Sequence, residues 1–180
     1  MKIGIVIGRI GGVDGVALET EKWIDVLKEL GHEIFLISGQ YEKEILPQPH
    51  QTFLPNLHFF SPECQWEQYR AFLSPEDCPG NLVESIQRNA RVISKAIVQW
   101  IGDYRLDVII SQNASALPCH LAMGLGFKDA VEESGIQTIT HDHDFAWERS
   151  KRYVSPHQAI NELIASAFPL KVSGVKHVAI

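Results

Sequence analysis

Four short runs in this chain are apolar to both sides: Lys2–Gly8, Glu33–Ser38, Asp107–Ser111 and Ile136–Thr140. A strand of that kind buries neither face by itself, so helices must cover both, as in a parallel sheet built from βαβ units. Between the first two runs, Trp23, Val26, Leu27 and Leu30 stand at i, i+3, i+4 and i+7 and form one apolar stripe. Glu21, Lys22, Asp25, Lys28 and Glu29 fill the solvated positions, and Gly31 stops the helix. Two strands joined this way make a right-handed crossover.

The rest of the chain repeats the alternation. Prolines at 47, 49, 55 and 62 keep residues 39–62 irregular, with Leu57–Phe60 as a third strand. A helix over about Glu63–Leu73 ends before the prolines at 75 and 79. A long helix from Asn81 carries Leu82, Ile86, Ala90, Ile93, Ile97 and Ile101 on one face. Pro118 suits the first turn of a helix that Gly135 ends. Helical stretches follow near Asp144–Tyr153 and His157–Phe168, and the chain closes on strand-like Lys176–Ile180. The fold class expected is α/β, one Rossmann-like domain over residues 1–180 with a mostly parallel sheet and helices on both faces. A chain that stops inside a strand is expected to be part of a longer one.

Composition narrows the partners. A net charge of −6 argues against nucleic acid, because phosphate binding needs a basic face and the only dense basic stretch is Arg149, Lys151 and Arg152. Three cysteines, Cys64, Cys78 and Cys119, form no CxxC pair and fit a reducing, cytoplasmic setting. No apolar run reaches the ~20 residues of a membrane span, so no transmembrane segment is expected. Trp66, Trp100 and Trp147 are read as core or interface residues, and Cys119 beside His120 on a helix makes no nucleophilic pair.

Ligands of open α/β sheets bind beyond the carboxyl ends of the strands, and three such ends are unusual here. After the first strand comes Gly8-Arg-Ile-Gly-Gly-Val-Asp-Gly15, where glycines permit a close backbone approach and a helix start favours an anion. A tight turn explains the same glycines, and Asp14 would repel phosphate unless Arg9 or a metal offsets it. After the fourth, Asn113 can hydrogen-bond a hydroxyl or merely cap the next helix. After the fifth, His141-Asp142-His143-Asp144 places four ionisable groups directly behind a buried strand, where desolvation is costly unless they face solvent, a ligand or each other. His-x-His on an extended segment sets both imidazoles on one side.

The order of these features resembles the N-terminal domain of family-4-type retaining glycosyltransferases, which have the two-domain GT-B architecture. Gly11-Gly12-Val13 is similar to that family's glycine loop, Trp23–Ile37 (WIDVLKELGHEIFLI) to its helix, Gly-His and strand passage, and Thr138–Asp142 (TITHD) to its strand ending in His-Asp. The resemblance implies that the backbone of Gly11, Gly12 and Val13 approaches a donor diphosphate across a cleft. It also implies that His141 sits beside the transferred sugar and acts in catalysis with Asp144. Asp142, Asp144, Glu148 and Arg149 then line the acceptor side, with Arg149 suited to a phosphate or carboxylate on the acceptor, while Asn113 stays a ligand-binding candidate by its strand-end position.

The expected function is therefore transfer of a sugar from a nucleotide-sugar, with retention, to a sugar, lipid-linked or small-molecule acceptor. The donor is a substrate, and no cofactor or metal is implied. The family's paired glutamates lie in a second domain that this chain lacks; Glu21/Glu29 and Glu76/Glu84 share their spacing by coincidence. Alone, the chain is expected to be inactive. Two other readings stay open at this point: a metal-dependent hydrolase using the His141–Asp144 cluster, and a non-catalytic nucleotide-binding module.

Overall fold

A computed structural model describes residues 1–74, 79–149 and 151–180. It contains six strands: β1 (Lys2–Ile7), β2 (Glu33–Ser38), β3 (Gln51–Phe53), β4 (Val108–Gln112), β5 (Gln137–Asp142) and β6 (Lys176–Ala179). They form one sheet in the order β3-β2-β1-β4-β5-β6, with every pairing parallel. The winding reverses between β1 and β4, which is where a doubly wound sheet opens a crevice.

Five helices cover the sheet: α1 (Gly15–Glu29), α2 (Pro62–Phe72), α3 (Pro79–Tyr104), α4 (Leu121–Ser134) and α5 (Gln158–Ala167). The pleat explains why β1 is apolar throughout. Ile3, Ile5 and Ile7 pack under α1, whereas Val6 faces the opposite layer. Each such side chain contributes roughly 1.5–3 kcal/mol by leaving water. Leu82, Ile86, Ala90, Ile93 and Ile97 of α3 form the buried stripe expected, and Ile101 packs partly against it. Gly126 of α4 admits the Ala90 carbonyl so closely that a Cβ would lie 2.6 Å from its oxygen. Small residues thus let α3 and α4 approach.

Several elements differ from the sequence expectation. The buried stripe of α1 is Ala17, Thr20 and Ile24, with Trp23 and Leu27 half-buried, while Val26 and Leu30 face solvent. The third strand is Gln51–Phe53 rather than Leu57–Phe60, and a single 3-10 turn at Pro55–Leu57 buries Leu57 instead. Helix α4 starts at Leu121, so Pro118 and Cys119 precede it. His120 caps it by accepting the Met123 N–H on Nδ1, 3.2 Å away. The helix expected over Asp144–Tyr153 contracts to one 3-10 turn, Ala146–Arg149. Trp100 is in the core, but Trp66 and Trp147 are exposed. Cys78, Glu76 and Pro75 lie outside the described residues.

Among the described residues, no helix is long and apolar enough to cross a membrane.

Candidate functional site

The loops after β1, β4 and β5 meet at the carboxyl edge. The β1 loop begins with Arg9, whose Nε lies 3.3 Å from Asp14 Oδ2. Asp14 also caps α1, accepting the Ala17 N–H on Oδ1 at 3.0 Å. The offset that an anion here would require is therefore built in, although the cap already occupies a first-turn donor. Gly11 has φ +91°, in the region that favours glycine. A Cβ there would lie 2.9 Å from Lys43 N, and one at Gly12 would lie 2.9 Å from Glu42 Oε1. The close approach these glycines permit is thus made, on that side, to the protein's own 42–43 segment. Val13 is 94% exposed beside them.

His141 leaves β5 on the α1 side. Its ring stacks on Trp23 at 4.4 Å between centroids, and only 3% of the residue is exposed. Its Nδ1 lies 2.9 Å from Gln112 Oε1, at the end of β4. With the amide oxygen turned towards it, Nδ1 serves as the donor and Nε2 of the neutral ring is the acceptor. His143 meets the same side, with the two rings 4.4 Å apart and its Nε2 3.4 Å from that amide oxygen. Burial lowers both histidine pKa values, and the neighbouring His143 lowers His141 further. The pair is neutral near pH 7 and can accept or donate hydrogen bonds without net charge.

Asp142 points to the other face. Thr140 donates its hydroxyl to Asp142 Oδ2 at 2.8 Å, and His177 Nδ1 of β6 lies 2.8 Å from the same hydroxyl. Burial raises the Asp142 pKa, and its Oδ1 has no hydrogen-bond partner. Asn113, at φ +56°, accepts the His143 backbone N–H at 3.3 Å and so ties the β4 loop to the β5 loop. Asp144 pairs with Arg149, and Glu148 Oε2 accepts the Phe145 N–H at 2.6 Å. Two of the charged groups of the 144–149 turn thus neutralise each other, and the third is held by the turn's own backbone.

Between the β1 and β4 ends lies a cavity of about 260 Å³, lined by Arg9, Asp14, Phe59, Phe60, Asn113 and Arg152 among others. Arg9 lies over the Phe60 ring, 5.3 Å from its centroid. The sequence pointed to Asn113 here but missed Trp23, Gln112, Phe60 and Arg152. Gln112 adjoins Asn113 and was within reach of a strand-end argument; the others come together only through the tertiary fold. The remaining spacing coincidence has a structural explanation at Glu21, which pairs with Lys43 at 2.7 Å.

Metal binding asks for three or more converging ligands. Among the described residues, no group of three or more His, Cys, Asp and Glu side chains is disposed to hold an ion. His141 and His143 converge on an amide instead, and Asp142 diverges from both.

No protein-family model matches the chain. Over its full length it is 28% identical to the mannosylglucosylglycerate synthase of Thermotoga maritima and 26% identical to that of Petrotoga mobilis. It spans 40% of the length of each. Among solved structures, a lipopolysaccharide outer core galactosyltransferase in its apo form covers 98% of this chain. That match spans 44% of the galactosyltransferase, with 11% identity and a TM-score of 0.48.

Proposed function

We infer that this chain, a glycosyltransferase domain of the GT-B type, forms the acceptor-side wall of a cleft in a longer enzyme. The enzyme transfers a sugar from a nucleotide-sugar to an acceptor hydroxyl, with retention of configuration. One observation carries the reading: the likeness to two synthases of mannosylglucosylglycerate runs from end to end of the chain yet covers two-fifths of theirs. The remaining length of such an enzyme would supply the second, donor-binding domain.

In the reaction the acceptor oxygen bonds to the anomeric carbon as the bond to the diphosphate breaks, and the acceptor proton passes to the departing phosphate. The protein's part is to position both substrates and stabilise the leaving charge. His141 is suited to the sugar side. Trp23 and Gln112 fix its ring, and its unprotonated Nε2 can accept a sugar hydroxyl. Asp144 and Arg149 would act as a pair at the rim, and Gly11–Val13 would face the diphosphate across the cleft. The free thiols of Cys64 and Cys119 suit a reducing cytoplasm.

The test is sugar release from UDP- and GDP-linked donors, using the intact protein that contains this chain and, separately, the 180 residues alone. The intact protein should turn over and the isolated chain should not. His141→Ala should lower kcat/KM about tenfold, the worth of one hydrogen bond to the sugar. Turnover by the isolated chain would refute the half-site reading. Stoichiometric zinc binding lost in both His141→Ala and His143→Ala would favour a metal hydrolase.

A further inference from the structure

We propose that α1 is an interface with a second copy of this chain, in which two α1 helices pack antiparallel about a two-fold axis at Val26. The inference is independent of the sugar-transfer reading and adds a partner to the fold.

The apolar stripe that marks α1 in the sequence is not the stripe that α1 buries. Ala17, Thr20 and Ile24 face the sheet, while Val26 and Leu30 are 53% and 66% exposed and Trp23 is half-buried. A helix that is apolar on its core face and again on one flank has a face without cover. That flank turns towards β5, since Trp23 stacks on His141. Among the described residues, the core cluster on this side of the sheet takes its helical members from α1 alone. Val178 of β6, the register partner of His141, faces the same side and is partly exposed. The open apolar surface therefore runs from α1 on to β5 and β6.

The spacing of the flank selects a helix as its occupant, and its charges select another copy. Trp23, Val26 and Leu30 stand three and four residues apart, as the a, d and a positions of a heptad do. Glu19, Lys22, Trp23 and Val26 fall at i, i+3, i+4 and i+7 and, with Leu27, line a groove of about 370 Å³. Four residues so placed form the hole that takes one side-chain knob from a facing helix. Lys22 and Glu29, opposite in charge, then occupy successive g positions on the solvent side of the stripe. With the axis at Val26, Trp23 meets Leu30 of the second copy, which is the knob for the groove. Lys22 meets Glu29 of the second copy, and the symmetry repeats both contacts. A parallel pair would instead set Lys22 against Leu27 and leave the charges unmatched. Lys22 already bonds Glu19 at 3.1 Å, but that pair is exposed and weak, and an ammonium has three donors to share. Glu29 is exposed and makes no ion pair among the described residues. Two four-turn helices bury on the order of 1,000 Å² in such a pair, so association in the micromolar range is expected.

Analytical ultracentrifugation of the 180-residue chain from about 1 µM to 1 mM reads the association. The wild type should pass from monomer to dimer over that range. Val26→Glu sets two carboxylates together on the axis and should keep the chain monomeric, with Tm and circular dichroism unchanged because Val26 faces solvent in the monomer. Lys22→Glu should weaken the dimer about tenfold by placing like charges together twice. Adding Glu29→Lys to it should restore the affinity to within about threefold of wild type. Leu18→Glu, at an exposed position of α1 turned away from the groove, should change nothing. A wild type that stays monomeric throughout overturns the proposal, as does a dimer that Val26→Glu leaves intact. Failure of the charge-reversed pair to restore affinity overturns the antiparallel register. The last arm uses the intact protein that contains this chain. If it is monomeric, and Val26→Glu lowers its Tm but not that of the 180 residues alone, the flank belongs to another segment of the same polypeptide and the second copy is overturned.

Discussion

Gly39→Ala is expected to destabilise the protein by about 3 kcal/mol, lowering Tm by roughly 6–12 °C. Gly39 follows β2, and its N–H donates to the Gly8 carbonyl at 3.1 Å. The backbone of the turn after β3 crosses directly above it. A Cβ at Gly39 would lie 2.6 Å from both His58 Cα and Leu57 C, and closer still to His58 N. Those are backbone atoms, so no rotamer change relieves the clash. The Pro55–Leu57 turn is also pinned from the far side, because His120 Nε2 lies 2.8 Å from the Asn56 carbonyl oxygen. The strain must therefore move residues 57–60 as a unit, and with them Phe59 and Phe60 of the cavity wall. Gly102→Ala is the matched control: nothing lies within 4 Å of the added methyl, and Gly102 is inside α3. That change should stabilise by about 0.5–1 kcal/mol. Urea unfolding of the two variants decides the matter; a Gly39→Ala loss no larger than about 0.5 kcal/mol would mean that the crossing segment yields freely.

That crossing shows why the third strand was misplaced from sequence. Leu57 and Phe59 look like strand residues because they alternate and are apolar. Leu57 is fully buried, but from a 3-10 turn beneath α3, not from a strand. The true edge strand, Gln51–Phe53, pairs only with Leu36–Ser38 and buries neither face, so it carries no periodic signal. The long doubly apolar strands were legible for the opposite reason, since both of their faces demand cover. In α1 the largest side chains misled. Ala17 and Thr20 face the sheet because they are small enough to let the helix lie close, and Val26 and Leu30 are left outside.

The site divides along the same line. Alternation along β5 correctly puts His141 and His143 together and Asp142 opposite, since neighbouring strand residues face apart. What holds His141 is Gln112 from the end of β4 and Trp23 from α1, the second a partner that no local pattern announces. The helix expected after Asp144 contracts to a single turn, closed by the Asp144–Arg149 pair and by Glu148 accepting the Phe145 N–H. The same pairing removes Arg149 from consideration as a free cation.

Glu67→Gln should stabilise the protein at pH 8 relative to pH 4.5 by about 2–3 kcal/mol more than it does in any pH-independent way. Glu67 lies on α2, 1% exposed, one residue from the Gln68 that lines the cavity. Asn89 of α3 donates to its Oε1 at 2.6 Å, and its Oε2 has no hydrogen-bond partner. Burial pushes its pKa from 4.5 up to about 7, with the Glu63 charge adding to the rise and Asn89 and Arg88 opposing it. The sign follows from proton counts. Between pH 4.5 and 7 the unfolded chain has released this proton and the folded chain still holds it, so stability falls as pH rises through that window. Above pH 7 the folded state ionises a buried carboxylate, at a cost of about 3 kcal/mol for a shift of that size. Glutamine removes the proton from the balance. Its own amide leaves donors unpaired where Oε2 now lies, an offset that is the same at every pH. The readout is therefore the difference between variant and wild type in urea unfolding at each pH, in which all other titrating groups cancel. A difference that stays flat from pH 4.5 to 8 would show that Glu67 reaches water and that α2 docks on α3 without holding a protonated acid.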